Sequence, residues 1–263
     1  NSVTLNKENK KWKVNNQYDV RPDAIRILLS TASKIRIKKP VPEAALENVI
    51  KFMATTGVYI EFFEEKKMIK SYVIGSNTPD HLGTYMLLIG KEVPFVVHIP
   101  HFNGFLSPRY GIQSNTIDLN RWRSTNIFSL SSDSIHYLKY TNFQDPENSY
   151  TISSNPIKLI DADNQSISFN YVKTLKLLNS FKNLNCEAFK NKKSNINDLI
   201  KLEELIVNSD TLITYKISKN EIKSNEDNFN VARKYARLNN GDLMLIQDYV
   251  FNKVLININE LIE

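Results

Sequence analysis

The sequence predicts an α+β fold built from two duplicated units, each an antiparallel sheet with two helices packed on one face. Three observations carry this. Blocks of apolar residues recur in one order about 150 residues apart. Helical-period segments come in succession, and strand runs follow one another, instead of alternating one by one as a doubly wound sheet requires. Turn residues separate consecutive strand runs, as hairpins do. The expected units are 1–117 and 118–263.

Taken in order, Ser2-Val3-Thr4-Leu5 reads as a strand and returns as Ser149-Tyr150-Thr151-Ile152. Trp12-Lys13-Val14 is a second strand. Leu28, Leu29, Ala32 and Ile35 share one face of a helix. That stripe recurs as Leu177, Leu178, Phe181 and Leu184, with Cys186 opposite Ile37. Leu46 to Ile50 predicts a second helix, with Pro42 at its first turn and Gly57 at its exit, and Leu202 to Ile206 is its expected counterpart. The period then becomes extended: Val58 to Phe62 pairs with Thr211 to Tyr215, both β-branched and aromatic. Glu64-Glu65-Lys66-Lys67 and Asn239-Asn240-Gly241-Asp242 are turn sequences. Gly83 to Leu88 matches Gly241 to Ile246, and Val93 to Ile99 matches Tyr249 to Leu255, placing Phe95 opposite Phe251. Tyr85, Phe95, Tyr249 and Phe251 are expected core residues.

Ile135 to Tyr140 reads as the first strand of the second unit. Its counterpart falls ahead of residue 1, so the first unit is expected to lack its first strand, which the natural precursor would supply upstream.

Composition bounds the function. The 263 residues are 41% hydrophobic and 10% aromatic, enough for a sizeable core. A single cysteine permits no internal disulfide, and no Cys/His spacing suits structural zinc. No apolar run approaches the ~18 residues of a spanning helix. The net charge of +6 is scattered as Lys10-Lys11, Lys38-Lys39, Lys66-Lys67 and Lys192-Lys193. That is a solvated surface; no nucleic-acid partner is expected.

Catalytic motifs are lacking. No G-x-S-x-G, H-E-x-x-H or glycine-rich phosphate loop occurs among only seven glycines. The best cluster is His81, His98 and His101 with Asp80, a metal set in principle. Yet His98 and His101 point to opposite faces at a strand end broken by Pro100, and His98 falls opposite apolar Val254, so packing is the expected role. Cys186 is expected as a buried small hydrophobe. Glu61, Glu64, Glu65, Glu203 and Glu204 read as solvated. No metal, cofactor or enzymatic activity is expected.

The segment Phe102 to Asp133 has no equivalent after Leu255. Arg109, Tyr110, Arg121, Trp122 and Arg123 lie on it and are candidate partner contacts, being residue types that anchor interfaces. The competing reading is a packed connector with Trp122 capping the core.

Asn, Ile and Lys dominate the composition, as in AT-rich genomes. Together with Trp12-Lys13-Val14 before the helix pair, the Leu-Ile-Gly and Ile-Gln strands, and Arg121-Trp122-Arg123 with Ile127-Phe128, the chain resembles an uncharacterised envelope domain family, the domain of unknown function 4340 type. That family occurs in membrane-anchored proteins of Bacteroidota and other bacteria, often encoded beside gliding or transport machinery. The resemblance implies a protein on the periplasmic face, held by an N-terminal anchor outside these residues. It would act noncatalytically, through contacts with other envelope proteins of secretion, gliding or transport type. A small-molecule or glycan module, with aromatics in a cleft between the units, is the alternative. A metal hydrolase at His81, His98 and His101 is a third reading.

Overall fold

The computed structural model describes residues 2–154, 156–190, 198–217 and 232–262. The architecture is mixed α+β, with sheets paired antiparallel throughout the described residues and few helices. The chain divides into two compact units, Asn1–Ser124 and Thr125–Glu263. This division falls beyond residue 117 because residues 122–124 are tied to the first unit. Val20 bridges Arg123, while Arg21 N donates to Trp122 O (2.8 Å) and Ser124 N to Asp19 O (2.7 Å).

The first unit opens with a three-stranded meander: β1 (Leu5–Glu8), β2 (Lys11–Val14) and β3 (Tyr18–Asp19). Their turns are Asn9-Lys10 and Asn15-Asn16-Gln17, with Asn9, Lys10, Asn15 and Asn16 at positive φ. Asn tolerates that conformation, and such turns match the twist of the flanking strands. Helix α1 (Pro22–Lys34) follows, with Pro in its first turn, where the missing N–H costs nothing. Next come β4 (Arg36–Pro40), α2 (Glu43–Thr56), β5 (Val58–Glu64), β6 (Lys67–Asn77), β7 (Thr84–Leu88) and β8 (Phe95–His98). The five strands lie in the order β4-β8-β7-β6-β5. Helix α2 ends at Gly57, whose φ is an ordinary −65°. Glycine is needed there for size: a Cβ would stand 2.3 Å from Met53 O.

The two helices do not share a face, contrary to expectation. Leu28 and Ile35, in and after α1, pack with Tyr72, Ile74, Met86 and Val97. Leu46, Val49 and Met53 of α2 pack with Val73, Tyr85 and Val96. Alternate strand residues point to opposite faces, so the sheet is covered on both sides. A third cluster joins Val14, Val20, Ile25 and Trp122, with Leu5, Trp12 and Leu28 against it. The unit closes with the short hairpin β9 (Ile112–Gln113) and β10 (Thr116–Ile117).

The second unit contains β11 (Asn126–Phe128), β12 (Tyr137–Asn142), β13 (Tyr150–Ser154), β14 (Ile157–Ile160), β15 (Ser166–Ile167) and α3 (Tyr171–Asn179). The Asn170 side chain caps α3, accepting from Lys173 N at 3.0 Å. Then come β16 (Leu184–Asn185), paired with β11, and β17 (Ala188–Phe189), β18 (Lys201–Val207), β19 (Asp210–Tyr215), β20 (Arg233–Leu238), β21 (Leu243–Gln247) and the single turn α4 (Asp248–Phe251). Nine strands form one sheet in the order β15-β14-β13-β12-β18-β19-β20-β21-β17. One core unites Leu138, Tyr140, Ile152, Leu177, Phe181, Leu205, Met244 and Phe251.

Two expected block matches fail here. Leu202 to Ile206 lies in strand β18, between β12 and β19. A run that short fits either period, and two-sided pairing decides it. Tyr249 to Leu255 is the α4 turn and its exit, not a strand. Phe251, Val254 and Leu255 are buried at spacings of three and four, a helical signal. Among the described residues the second unit therefore has one helix of more than a single turn. Lys192-Lys193 lies outside the described residues.

Candidate contact groove on the first unit

The expected contact residues separate by burial. Tyr110 is 1% exposed, and Trp122 is 4%. Tyr110 Oη hydrogen-bonds Tyr72 Oη at 2.8 Å beneath α1. Burial pushes the Tyr110 hydroxyl up to about 12, and that of Tyr72 higher still. Trp122 fills the cluster of Val14, Val20 and Ile25. These two aromatic side chains are core, which corrects their expected place on a contact surface. The arginines lie nearer solvent but are engaged. Arg109 Nε donates to Thr31 Oγ1 (2.8 Å), and its guanidinium sits 4.9 Å from the Phe102 ring centre. Arg121 donates to the Gln113 side chain. The Arg123 guanidinium stacks 3.8 Å from the Tyr18 ring centre.

A different surface of the same unit is open. β4, β8, β7 and β6 present one continuous face in which Ile37 pairs with Val97, Phe95 with Met86, and Leu88 with Tyr72. Helix α1 and the turn at residues 107–110 cover part of this face. The remainder is a groove of about 200 Å³. Ile37 is 63% exposed and Leu88 45%. Arg36 and Lys70 stand among the lining residues. Lys70 Nζ lies 5.6 Å from the Tyr72 ring centre, and Arg36 Nη1 donates to the Ile35 and Ser33 carbonyls. The groove thus has an apolar floor with two cations beside it. Its volume is below the roughly 300 Å³ at which small-molecule sites begin.

The histidines are dispersed. His81 and His101 sit in turns at positive φ, and His98 lies opposite Arg36 in the sheet. His81 Nδ1 is 2.6 Å from Asn77 Nδ2. Asp80 accepts from Thr78 Oγ1 (2.5 Å) and Leu82 N (3.0 Å), bonds that hold its carboxyl below the usual range and build the turn. Among the described residues no three His, Cys, Asp or Glu side chains cluster as metal ligands do. Cys186 is 5% exposed, in the core of the second unit.

Glu203 is not solvated, contrary to expectation. Its carboxylate pairs with Lys234 Nζ at 2.7 Å, and the two side chains are 13% and 14% exposed. The hydroxyl of Thr214, itself fully buried, donates to the second carboxylate oxygen. Asp248 Oδ1 lies 3.8 Å from the same ammonium. The signal in the sequence was Glu203 among apolar Leu202, Leu205 and Ile206 with Lys234 far downstream, a pairing that only the sheet reveals. The second unit also has an open depression of about 440 Å³, where Lys173, Lys176, Lys253 and Glu260 surround Leu177. No helix among the described residues is long and apolar enough to cross a membrane.

The sequence pattern of one family, described as Domain of unknown function (DUF4340), matches residues 12–204. The chain belongs to this family. No curated protein and no solved structure matches it. The DUF4340 match takes in the whole groove, the buried members Val14, Val20, Ile25 and Trp122 of the third cluster, and the second unit as far as Glu204 in β18.

Proposed function

We propose that this DUF4340 chain is a noncatalytic accessory subunit of a bacterial cell-envelope complex, of secretion, gliding or transport type in Bacteroidota. In this reading it stands on the periplasmic face, anchored to the membrane, and works by docking another envelope protein. The observation that carries it is the exposed apolar groove with Ile37 and Leu88 on its floor and Arg36 and Lys70 beside it. Isolated exposed apolar residues are ordinary, but Ile37 and Leu88 flank one apolar face that runs on through Val97, Phe95, Met86 and Tyr72 across four strands. The partner it fits is an apolar segment flanked by acidic residues.

We also propose that the two units are sister modules. Support comes from the strand orders β4-β8-β7-β6-β5 and β17-β21-β20-β19-β18, each in a unit with a meander that leads into a helix; this alignment sets β5 against β18 and β7 against β20, one strand away from the β19 and β21 that the sequence blocks match to them.

The test is cross-linking in native membranes with Ile37→Asp/Leu88→Asp beside the unaltered chain. A specific envelope protein captured by the unaltered chain and lost from the variant is expected. Identical capture by both would sink the groove, and a chain that remains free of partners at native abundance would sink the subunit reading. The depression of about 440 Å³ on the second unit, basic and of ligand size, favours small-anion binding as the second reading.

A further inference from the structure

In the second unit β12 is a bridge. Leu138 and Tyr140 pair on one side with Ile152 and Tyr150 of β13, and on the other with Val207 and Leu205 of β18. Both side chains are buried, at 0% and 1% exposure, so β12 fuses meander and sheet over one core.

The first unit has the flanking elements without the bridge. Its meander β1-β2-β3 leads into α1 as β13-β14-β15 leads into α3, and its sheet ends at β5 where that of the second unit continues from β18 into β12. β1 and β5 are both edge strands. The core there is divided into three clusters, one with Leu5 against it and another with Val58, Ile60 and Phe62. Leu28 of α1 packs against these two. Val58, Ile60 and Phe62 are only half-buried, whereas Leu205 and Val207, which face β12, are fully buried.

We infer that the β1 and β5 edges form an acceptor for one added β-strand, a peptide segment from outside residues 1–263. It runs antiparallel to both edges, with large apolar side chains at alternate positions, as Leu138 and Tyr140 are in β12. Two ladders of main-chain hydrogen bonds would hold it, and its alternate side chains would close the gap between the two clusters over Leu28. Unpaired edges are otherwise an aggregation hazard, and strand edges select an extended chain, whose main-chain groups are free to pair, over a helix. The inference rests on the reading of the two units as sister modules and not on the docking groove, so it stands or falls separately from the proposed docking.

The test uses the full chain with a synthetic peptide of residues 134–142 as the probe, and amide hydrogen exchange as the readout. A second form carries the same nine residues joined ahead of Ser2 by a flexible linker, which raises the effective concentration to the millimolar range. Exchange at Leu5–Glu8 and Val58–Glu64 should slow at least tenfold in one or both forms, with the protein remaining monomeric. A probe with lysine in place of Leu138 and Tyr140 should lose that protection. Unchanged exchange in both forms, or equal protection by the lysine probe, overturns the inference. So does a homodimer whose β1 and β5 amides are protected without any probe, because a second copy would then be the occupant.

Discussion

The hydroxyls of Tyr72 and Tyr110 lie 2.8 Å apart with their rings edge to face, 38 residues apart in sequence and closed off from solvent. Each satisfies the other in a cluster that offers few polar partners. A tyrosine ionises near pH 10 in an unfolded chain, whereas burial raises Tyr110 to about 12 and Tyr72 further. The unfolded state therefore loses protons first. The stability these groups contribute is whole below about pH 10 and falls as pH rises towards 12, by ~1.4 kcal/mol per pH unit for each group that ionises only on unfolding. Urea unfolding between pH 8 and 11.5 should show a plateau, then a steep fall. Tyr110→Phe should weaken the fold by about 1–2 kcal/mol by leaving the Tyr72 hydroxyl unpaired, and Tyr72→Phe/Tyr110→Phe by less than the sum of the singles.

Much of this first-unit core was legible in the sequence, because α1, α2 and β5 to β8 follow periods of 3.6 and 2 with clear punctuation. The pairing across the sheet was not. Leu202 to Ile206 has both the spacing of a helix face and the composition of a strand, and only β12 and β19 on either side decide between them. Helix faces were equally hidden: Tyr72, Val73 and Ile74 are all apolar, the pattern of a strand covered on both sides, and nothing local says which helix lies on which. Arg109, Tyr110, Arg121, Trp122 and Arg123 were picked out by residue type. Type does not distinguish an interface anchor from a core anchor, since Trp and Tyr serve both. The groove was missed because Ile37, Leu88 and Phe95 become neighbours only through the order β4-β8-β7.

The ion pair of Glu203 and Lys234 should reveal itself through asymmetry. Glu203→Ala leaves an ammonium almost out of solvent with, among the described residues, Asp248 at 3.8 Å as its remaining carboxylate, so a loss of roughly 3–5 kcal/mol is expected. Replacing both partners, as Glu203→Leu/Lys234→Met, removes the uncompensated charge and should cost much less. Chemical denaturation of the three variants checks this. Equal losses in the single and double variants would mean that the pair acts only through its packing.

Ile37→Asp/Leu88→Asp should leave the thermal midpoint within about 2 °C of the unaltered chain. Both side chains already face water, so their replacement removes little buried area, and surface changes of this kind stay within about 0.5 kcal/mol each. A large drop would mean that the groove floor supports the fold and is no free surface. The midpoint from circular dichroism, read beside the cross-linking pattern, separates loss of docking from loss of structure.

Gly111 and Trp122 are coupled by space and by conformation together. Gly111 has φ +70°, left-handed backbone, immediately after the turn at residues 107–110 that carries Tyr110. A Cβ there would meet the Trp122 indole at 2.7 Å from Nε1 and 2.8 Å from Cε2 and Cζ2. The indole cannot retreat freely, because its other side is packed with Val14, Val20 and Ile25. Gly111→Ala should therefore incur the left-handed penalty of about 1–2 kcal/mol and a further 1–3 kcal/mol for overpacking. Strain of the first kind acts on the turn and the second acts on the indole, so the two are separable. Trp122→Phe removes most of the clash, and its combination with Gly111→Ala should be less destabilised than the two single losses added together. Urea unfolding followed by circular dichroism measures all three variants on one footing. Strict additivity would mean that the indole moves aside without cost and that backbone conformation alone requires glycine at this position.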